Sequence, residues 1–314
     1  MGKAAITKNS HIGDGESHRL FLLLQAEYGL CVEEAAAIKP HVQIIDTNKG
    51  KWIVKKYRTF FEASRQQLFI HLLKQAGFQA APSITGVVVS ENACWTLQEY
   101  IPHSNPFVFT SEKDRNEGLC LLYEYHIFSQ RLLQQPFFTN MLPYYQLCER
   151  WKQRYLSFLH DLPVWQQIMR HEELTFILQC AQYSLEKIPL FIPSLLAEPM
   201  TIIHGDVASH NFLRAENGSA YLIDYDLIAV APSGIDYLQY ANRILPYMQW
   251  SFALLKKCPI LEAFLEKPWF LMALIFPSDI FRECRSLMKK RKPFAIPYFE
   301  HRKQFVQKIA NMIR

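Results

Sequence analysis

The stretch TIIHGDVASHNFLRAENGSAYLIDYD, running from Thr201 to Asp226, organises the reading of this 314-residue chain. It opens with three residues of strand type, Thr201-Ile202-Ile203, and turns polar at His204-Gly205-Asp206. Asn211 follows five residues after Asp206, and Phe212-Leu213 return the chain to apolar surroundings. A Gly-containing turn, Glu216-Asn217-Gly218-Ser219, leads to a second apolar run, Ala220 to Ile223, which ends on Asp224. The pattern predicts a strand, a polar loop, a short strand, a hairpin turn and another strand. It would bring three oxygen-bearing side chains, Asp206, Asn211 and Asp224, to the mouth of one hairpin.

That residue set suits phosphoryl transfer, which needs a hard cation, a positioned nucleophile and fixed charge more than covalent help. Mg²⁺ prefers oxygen ligands and takes one or two from protein, with phosphates and water filling the rest. Asn211 and Asp224 fit that role, and Asp206 would accept or orient the proton of an attacking hydroxyl. A polar loop with ordinary turn acids is the plainer reading. Four fixed letters at this spacing should arise by chance in a chain of this length only on the order of once in a thousand.

The stretch resembles the catalytic segment of the aminoglycoside phosphotransferase and choline kinase superfamily, written H-G-D-x4-N-x-L with I-D-x-[DE] shortly after. The matching residues are His204, Gly205, Asp206, Asn211, Leu213, Ile223, Asp224 and Asp226. The resemblance implies an α+β, bilobal protein-kinase-like fold, with a small antiparallel-sheet N-lobe and a larger, mainly helical C-lobe. It also implies that Asp206 is catalytic, that Asn211 and Asp224 bind Mg²⁺, and that ATP donates phosphate to a small-molecule hydroxyl.

Upstream, Val42–Asp46 and Lys51–Tyr57 read as a hairpin around Thr47-Asn48-Lys49-Gly50. Lys55 then resembles the strand lysine that holds nucleotide phosphates, with neighbouring Lys56 as the alternative. Glu33 to Gln43 contains no glycine, so no glycine-rich phosphate loop is visible. On the next helix, Phe60 to Ala76, the family often has a glutamate to pair with the lysine; this chain offers Gln66 or Gln67, with Glu62 a turn earlier. Strand-like Ala93 to Ile101 ends Leu97-Gln98-Glu99-Tyr100-Ile101-Pro102, resembling the hinge between lobes. There the Glu99 carbonyl and the Ile101 N–H would bind adenine.

The remaining expectations concern organisation and setting. Residues 1–19 read as a loose polar tail, 20–101 as the N-lobe, and 102–314 as the helical C-lobe, holding a catalytic loop at 204–213 and a metal-binding segment at 222–226. Helices are expected from Ser111 to Gln135, from Pro143 through Leu159, over Val164 to Ile188, and from Ser233, Leu261, Pro277 and Pro297. Prolines 189, 193 and 199 should carry the chain into the strand at Thr201. His126 reads as a packed histidine and Asp236 as a supporting acid; Asp226 and Asp236 are the acids that a cationic acceptor would want.

The net charge of +5 is a mild excess and no nucleic-acid signature. Seven scattered cysteines without a C-x-x-C pair indicate reduced thiols of a cytoplasmic protein. The apolar run Trp269 to Phe276 is too short to span a membrane. Missing the glycine loop, and with Ile53-Val54-Lys55 and Trp151-Lys152-x-Arg154, the chain looks similar to spore-coat-associated kinase-like proteins. That similarity implies an alternative: a spore-coat scaffold that partners coat proteins and has little or no turnover.

Overall fold

The computed structural model describes residues 15–90, 93–102, 104–283 and 296–313. The tail expected over 1–19 lies mostly outside them. The described residues form two compact units, one running up to Asn105 together with Leu213–Asp226, the other comprising Pro106–Phe212 and everything from Leu227 onward.

The first unit begins with helix α1 (Gly15–Tyr28), stopped by Gly29 at φ +64°. Strands β1 (Val32–Lys39), β2 (Val42–Thr47) and β3 (Gly50–Tyr57) follow, then α2 (Phe60–Gln75), β4 (Ile84–Ser90) and β5 (Ala93–Glu99). The five strands form one antiparallel sheet in the order β1-β2-β3-β5-β4. Thr47 closes the β2–β3 turn by donating its hydroxyl to the Gly50 carbonyl at 2.7 Å, and Gly50 takes φ +91°. Thr59 caps α2 by accepting from the Glu62 N–H. Leu20 and Leu24 of α1 pack with Ile45, Val54, Val88 and Trp95 of the sheet as its core.

Two points here depart from the expected arrangement. The 42–57 hairpin is the inner part of a three-strand meander, because Val32–Lys39 pairs with β2 along its length. Its sequence, VEEAAAIK, lacks the β-branched alternation of a half-buried strand, and six of its eight residues are exposed. Sheet pairing overrides the helix preference of its Ala and Glu residues. Residues 213–226, expected in the helical part, group with the sheet unit instead. β8 and β9 (Phe212–Arg214 and Ala220–Leu222, numbered in chain order below) turn at Gly218, and the Leu222 N–H donates to the Ala80 carbonyl at 2.8 Å.

After the short β6 (Asn105–Pro106), the second unit carries helices α3 (Glu112–Arg131), α4 (Pro136–Thr139), α5 (Leu147–His160), α6 (Leu162–Ile168) and α7 (His171–Leu196). β7 (Met200–Ile203) then pairs antiparallel with β10 (Ala229–Pro232), a strand whose AVAP sequence gave no signal. Helices α8 (Gly234–Ile244), α9 (Phe252–Lys256), α10 (Pro259–Leu265), α11 (Pro268–Ile275) and α12 (Ile296–Ile313) complete it. Ser111 caps α3 as expected, accepting from the Asp114 N–H.

Three helix boundaries differ from expectation. The second helix starts at Leu147, not Pro143, since Pro143 spends its carbonyl on the Val230 N–H beside β10. The expected helix over 164–188 is two helices, separated where the Arg170 N–H and guanidinium are taken by Glu173. Pro189 and Pro193 lie inside α7 rather than after it. The buried stripe Leu174, Ile177, Cys180, Ala181, Ser184, Ile188 and Leu195 continues past both, so burial outweighs each lost N–H bond.

α11 is buried at nearly every position, and Trp151 of α5 stacks face to face on Phe276 with ring centroids 4.1 Å apart. Asp279 and Arg302 form an ion pair at no more than 1% exposure. No helix among the described residues is long and apolar enough to cross a membrane. Replacing Trp151 with Ala should cost about 3–5 kcal/mol of stability, because a stacked aromatic in a filled core leaves a cavity. Urea unfolding of Trp151→Ala beside the parent protein measures it.

Candidate active site

The loop after β7 is held by one buried acid. Asp236, fully buried in the first turn of α8, accepts from the His204 N–H at 2.7 Å and the Gly205 N–H at 2.9 Å. His126 of α3 places its Nε2 2.9 Å from the same carboxylate. Gly205 sits at φ +79°, and a Cβ there would lie 2.3 Å from the Leu227 carbonyl oxygen, so only glycine fits. His126 is the packed histidine expected, and Asp236 the acid that shapes the loop.

Asp206 comes next and is fixed from several sides. The Asn211 amide donates to its carbonyl at 2.8 Å and to its carboxylate Oδ2 at 3.3 Å. Its other carboxylate oxygen, Oδ1, is ion-paired with Arg243 in the last turn of α8. Burial, then the nearby Arg282 charge, pushes the Arg243 guanidinium down to about 10, while Asp206 opposes the drop. It remains a cation at neutral pH. Arg243 escaped the sequence reading; its only signal was being the one basic residue of α8.

The first unit holds the second group of expected residues. Lys55 on β3 is 7% exposed at its side chain, and its Nζ lies 2.6 Å from Asp224 Oδ1 and 2.7 Å from Asp226 Oδ2. The Tyr57 hydroxyl donates to Asp226 at 3.2 Å, and burial, reinforced by that carboxylate, raises the Tyr57 phenol far above its usual value. Asp224 takes φ +68°, a strained conformation for a residue with a side chain. Lys56 points elsewhere, to Glu16 at 2.5 Å and the Trp95 ring.

Lys55, Tyr57, Gln66, Ile70, Asp224 and Tyr225 line one recess of this unit. Gln66 does not orient Lys55. Its buried amide donates to the Tyr225 carbonyl at 3.0 Å, bracing the segment that carries the two aspartates, while Gln67 serves the Thr85 carbonyl. Glu62 accepts from the Arg58 N–H at the start of α2. The tip of the β1–β2 hairpin, which lacks glycine, instead sends Lys39 to within 3.5 Å of Asp224 Oδ2. Glu99 ends β5, its carboxylate and N–H both bonded to Ser83, and Ile101 is buried just beyond.

The structure thus brings Asp206 together with Asn211, and Lys55 together with Asp224. The donor set fits Mg²⁺ in kind. Asn211 commits its amide nitrogen to Asp206, which leaves a carbonyl oxygen as the metal-seeking atom, and Asp224 offers a carboxylate. Among the described residues no group of three or more His, Cys, Asp or Glu side chains forms a metal site. A cation that draws most of its ligands from phosphates and water needs no such cluster.

A five-stranded sheet unit with a buried strand lysine, and a helical unit carrying an HGD loop, define a protein-kinase-like fold. The sequence matches the Phosphotransferase enzyme family over residues 35–250, and the chain belongs to that family. Among solved structures it resembles an aminoglycoside phosphotransferase from Alicyclobacillus acidocaldarius, at 16% identity and TM-score 0.65, over 90% of this chain and 92% of that one. It also resembles the AMP-bound spectinomycin phosphotransferase APH(9)-Ia, at 15% identity and TM-score 0.62, over 94% and 98%. A choline kinase from Streptococcus pneumoniae matches at 14% identity and TM-score 0.53, over 95% and 100%. No curated protein matches the chain by sequence.

Removing the Asp236 carboxylate strands two buried backbone N–H groups and the His126 ring. Asp236→Ala should therefore lose about 3 kcal/mol or more, at roughly 1–3 kcal/mol per unsatisfied group. Asp236→Asn keeps one acceptor oxygen and should lose less. Thermal and urea unfolding of the two variants test the order.

Proposed function

We propose that this protein transfers the γ-phosphoryl group of ATP, with Mg²⁺, to a hydroxyl of a small molecule. The observation that carries the reading is the buried Lys55 pinned between Asp224 and Asp226. A fixed cation beside a metal-type acid is the arrangement that holds nucleotide phosphates. Membership of a phosphotransferase family supports it, as do AMP complexes of two structural neighbours, a spectinomycin phosphotransferase and a choline kinase.

Lys55 then binds the α- and β-phosphates, and Asn211 and Asp224 hold Mg²⁺, which neutralises charge on the phosphoryl oxygens. Lys39 supplies, as a side-chain cation, the cover that a glycine-rich hairpin gives through backbone N–H groups. The Glu99 carbonyl and Ile101 N–H take the adenine edge. Asp206 orients the acceptor hydroxyl and accepts its proton as the new oxygen–phosphorus bond forms. The bond from the γ-phosphorus to the bridging oxygen breaks, and ADP leaves with that electron pair. The free thiols among the described residues suit a cytoplasmic setting.

The second reading is a kinase-shaped spore-coat protein with little turnover, favoured by the absence of glycine from the β1–β2 hairpin tip. Calorimetry separates the two. Mg²⁺-dependent ATP binding is expected, weakened about tenfold or more by Asp224→Ala, the equivalent of ~1.4 kcal/mol. A folded protein that binds no ATP at millimolar concentration would establish the structural reading instead. Once an acceptor is in hand, Asp206→Asn should lower turnover by about a thousandfold, within the range of general-base removal.

A further inference from the structure

Arginines gather on the elements near Asp206. Arg150 and Arg154 stand one turn apart on α5, Arg243 ends α8, and Arg282 belongs to the helical stretch 278–283. Arg154, Arg243 and Arg282 lie close enough for their charges to act on one another, and Arg154 and Arg243 both feel Asp206. Arg150 covers the Tyr145 ring at 4.5 Å, and Tyr145 in turn lies within reach of the Arg154 charge.

The negative charge available to this cluster is small. Asp206 answers Arg243, and the half-exposed Glu283 answers Arg282 at 3.4 Å. Arg154 pairs with no carboxylate among the described residues. The Arg243 Nε–H is buried and meets no acceptor, and so is the side-chain nitrogen of Gln239, one turn earlier on α8. Like charges gathered this closely repel, and an anion placed among them relieves the repulsion.

The acids that a cationic acceptor would need are spent. Asp236 is fully buried, with its oxygens on His126 and two backbone N–H groups. Asp226 is taken by Lys55 and Tyr57. An ammonium group brought to Asp206 would meet Arg243 first.

We propose that the acceptor is an anionic hydroxyl compound, a small molecule whose phosphate or carboxylate is held by Arg154, Arg243 and Arg282 while its hydroxyl meets Asp206. The inference rests on the phosphotransferase reading and narrows its substrate class. Planar guanidinium forks suit both anions through paired hydrogen bonds, which a lysine cannot supply in the same geometry.

Calorimetry with glycerol 3-phosphate, glycerate and choline, at one fixed ionic strength, tests it. Binding of either anion but not of choline is the expected result, and the two anions separate phosphate from carboxylate recognition. Arg154→Gln, a change at an exposed helix position that keeps the fold, should weaken the bound anion about tenfold, the loss of one charge-assisted contact of ~1.4 kcal/mol. Choline binding in preference to both anions, binding of none of the three, or anion affinity unmoved by Arg154→Gln would each overturn the assignment. ADP release driven by choline alone would keep the phosphotransferase reading and sink this one. Anion binding sensitive to Arg154→Gln in a protein that never binds Mg²⁺-ATP would sink the phosphotransferase reading and leave the anion site standing.

Discussion

A carboxylate with no solvent exposure must find its hydrogen bonds inside the protein, and Asp236 finds them in three places at once. Two successive backbone N–H groups, His204 and Gly205, converge on it, and the His126 ring completes the set. The consequence runs down the chain. With both amides aimed at α8, the backbone must turn sharply at Gly205, against the Leu227 carbonyl, and only a residue without Cβ survives that approach. Asp206 leaves this turn already directed, and Asn211 and Arg243 need only hold what the turn has set. A single buried acid thus converts helix packing, through α3 and α8, into the orientation of the side chain next along from its own hydrogen bonds.

The sheet unit solves a different electrostatic problem. A lysine at 7% exposure is largely cut off from water and needs polar partners inside the protein. The acid expected on α2 is a glutamine, yet charge balance is not lost, because Asp224 and Asp226 flank Lys55 directly. Gln66 then acts at one remove, gripping the Tyr225 carbonyl between those aspartates. The lysine and the metal-type acid therefore belong to one braced unit. Under the proposed function an incoming phosphate would offer Lys55 a replacement anion as a metal would offer Asp224 a replacement cation, so the exchange need not leave either charge bare.

What the sequence disclosed follows from how local each feature is. His204 to Asn211 and Ile223 to Asp226 are dense in special residues, and α3 announces its start by Ser111. Lys55 was legible by its resemblance to the family's strand lysine. The misses are features that only long-range packing decides. β1 is written in Ala and Glu and becomes a strand because β2 offers a partner; β10 is four residues of AVAP paired to β7. The prolines of α7 read as breakers, and the apolar stripe that overrides them is visible only against α11 and the rest of the core. Arg243 lies 37 residues from Asp206 in sequence, with no local pattern that couples them.

That missed arginine changes what the catalytic loop can accept. Asp206 alone would favour a cation, as any exposed carboxylate does. Asp206 joined to Arg243, with Arg154 and Arg282 nearby, presents a surface whose balance is positive. For the proposed phosphoryl transfer this balance bears on the acceptor. Under that reading Asp206 orients a hydroxyl, and the arginines beside it would draw in a molecule that carries negative charge of its own. A cationic alcohol would lose there, so the sign of the acceptor would be set by the helices that surround the loop more than by the loop motif itself.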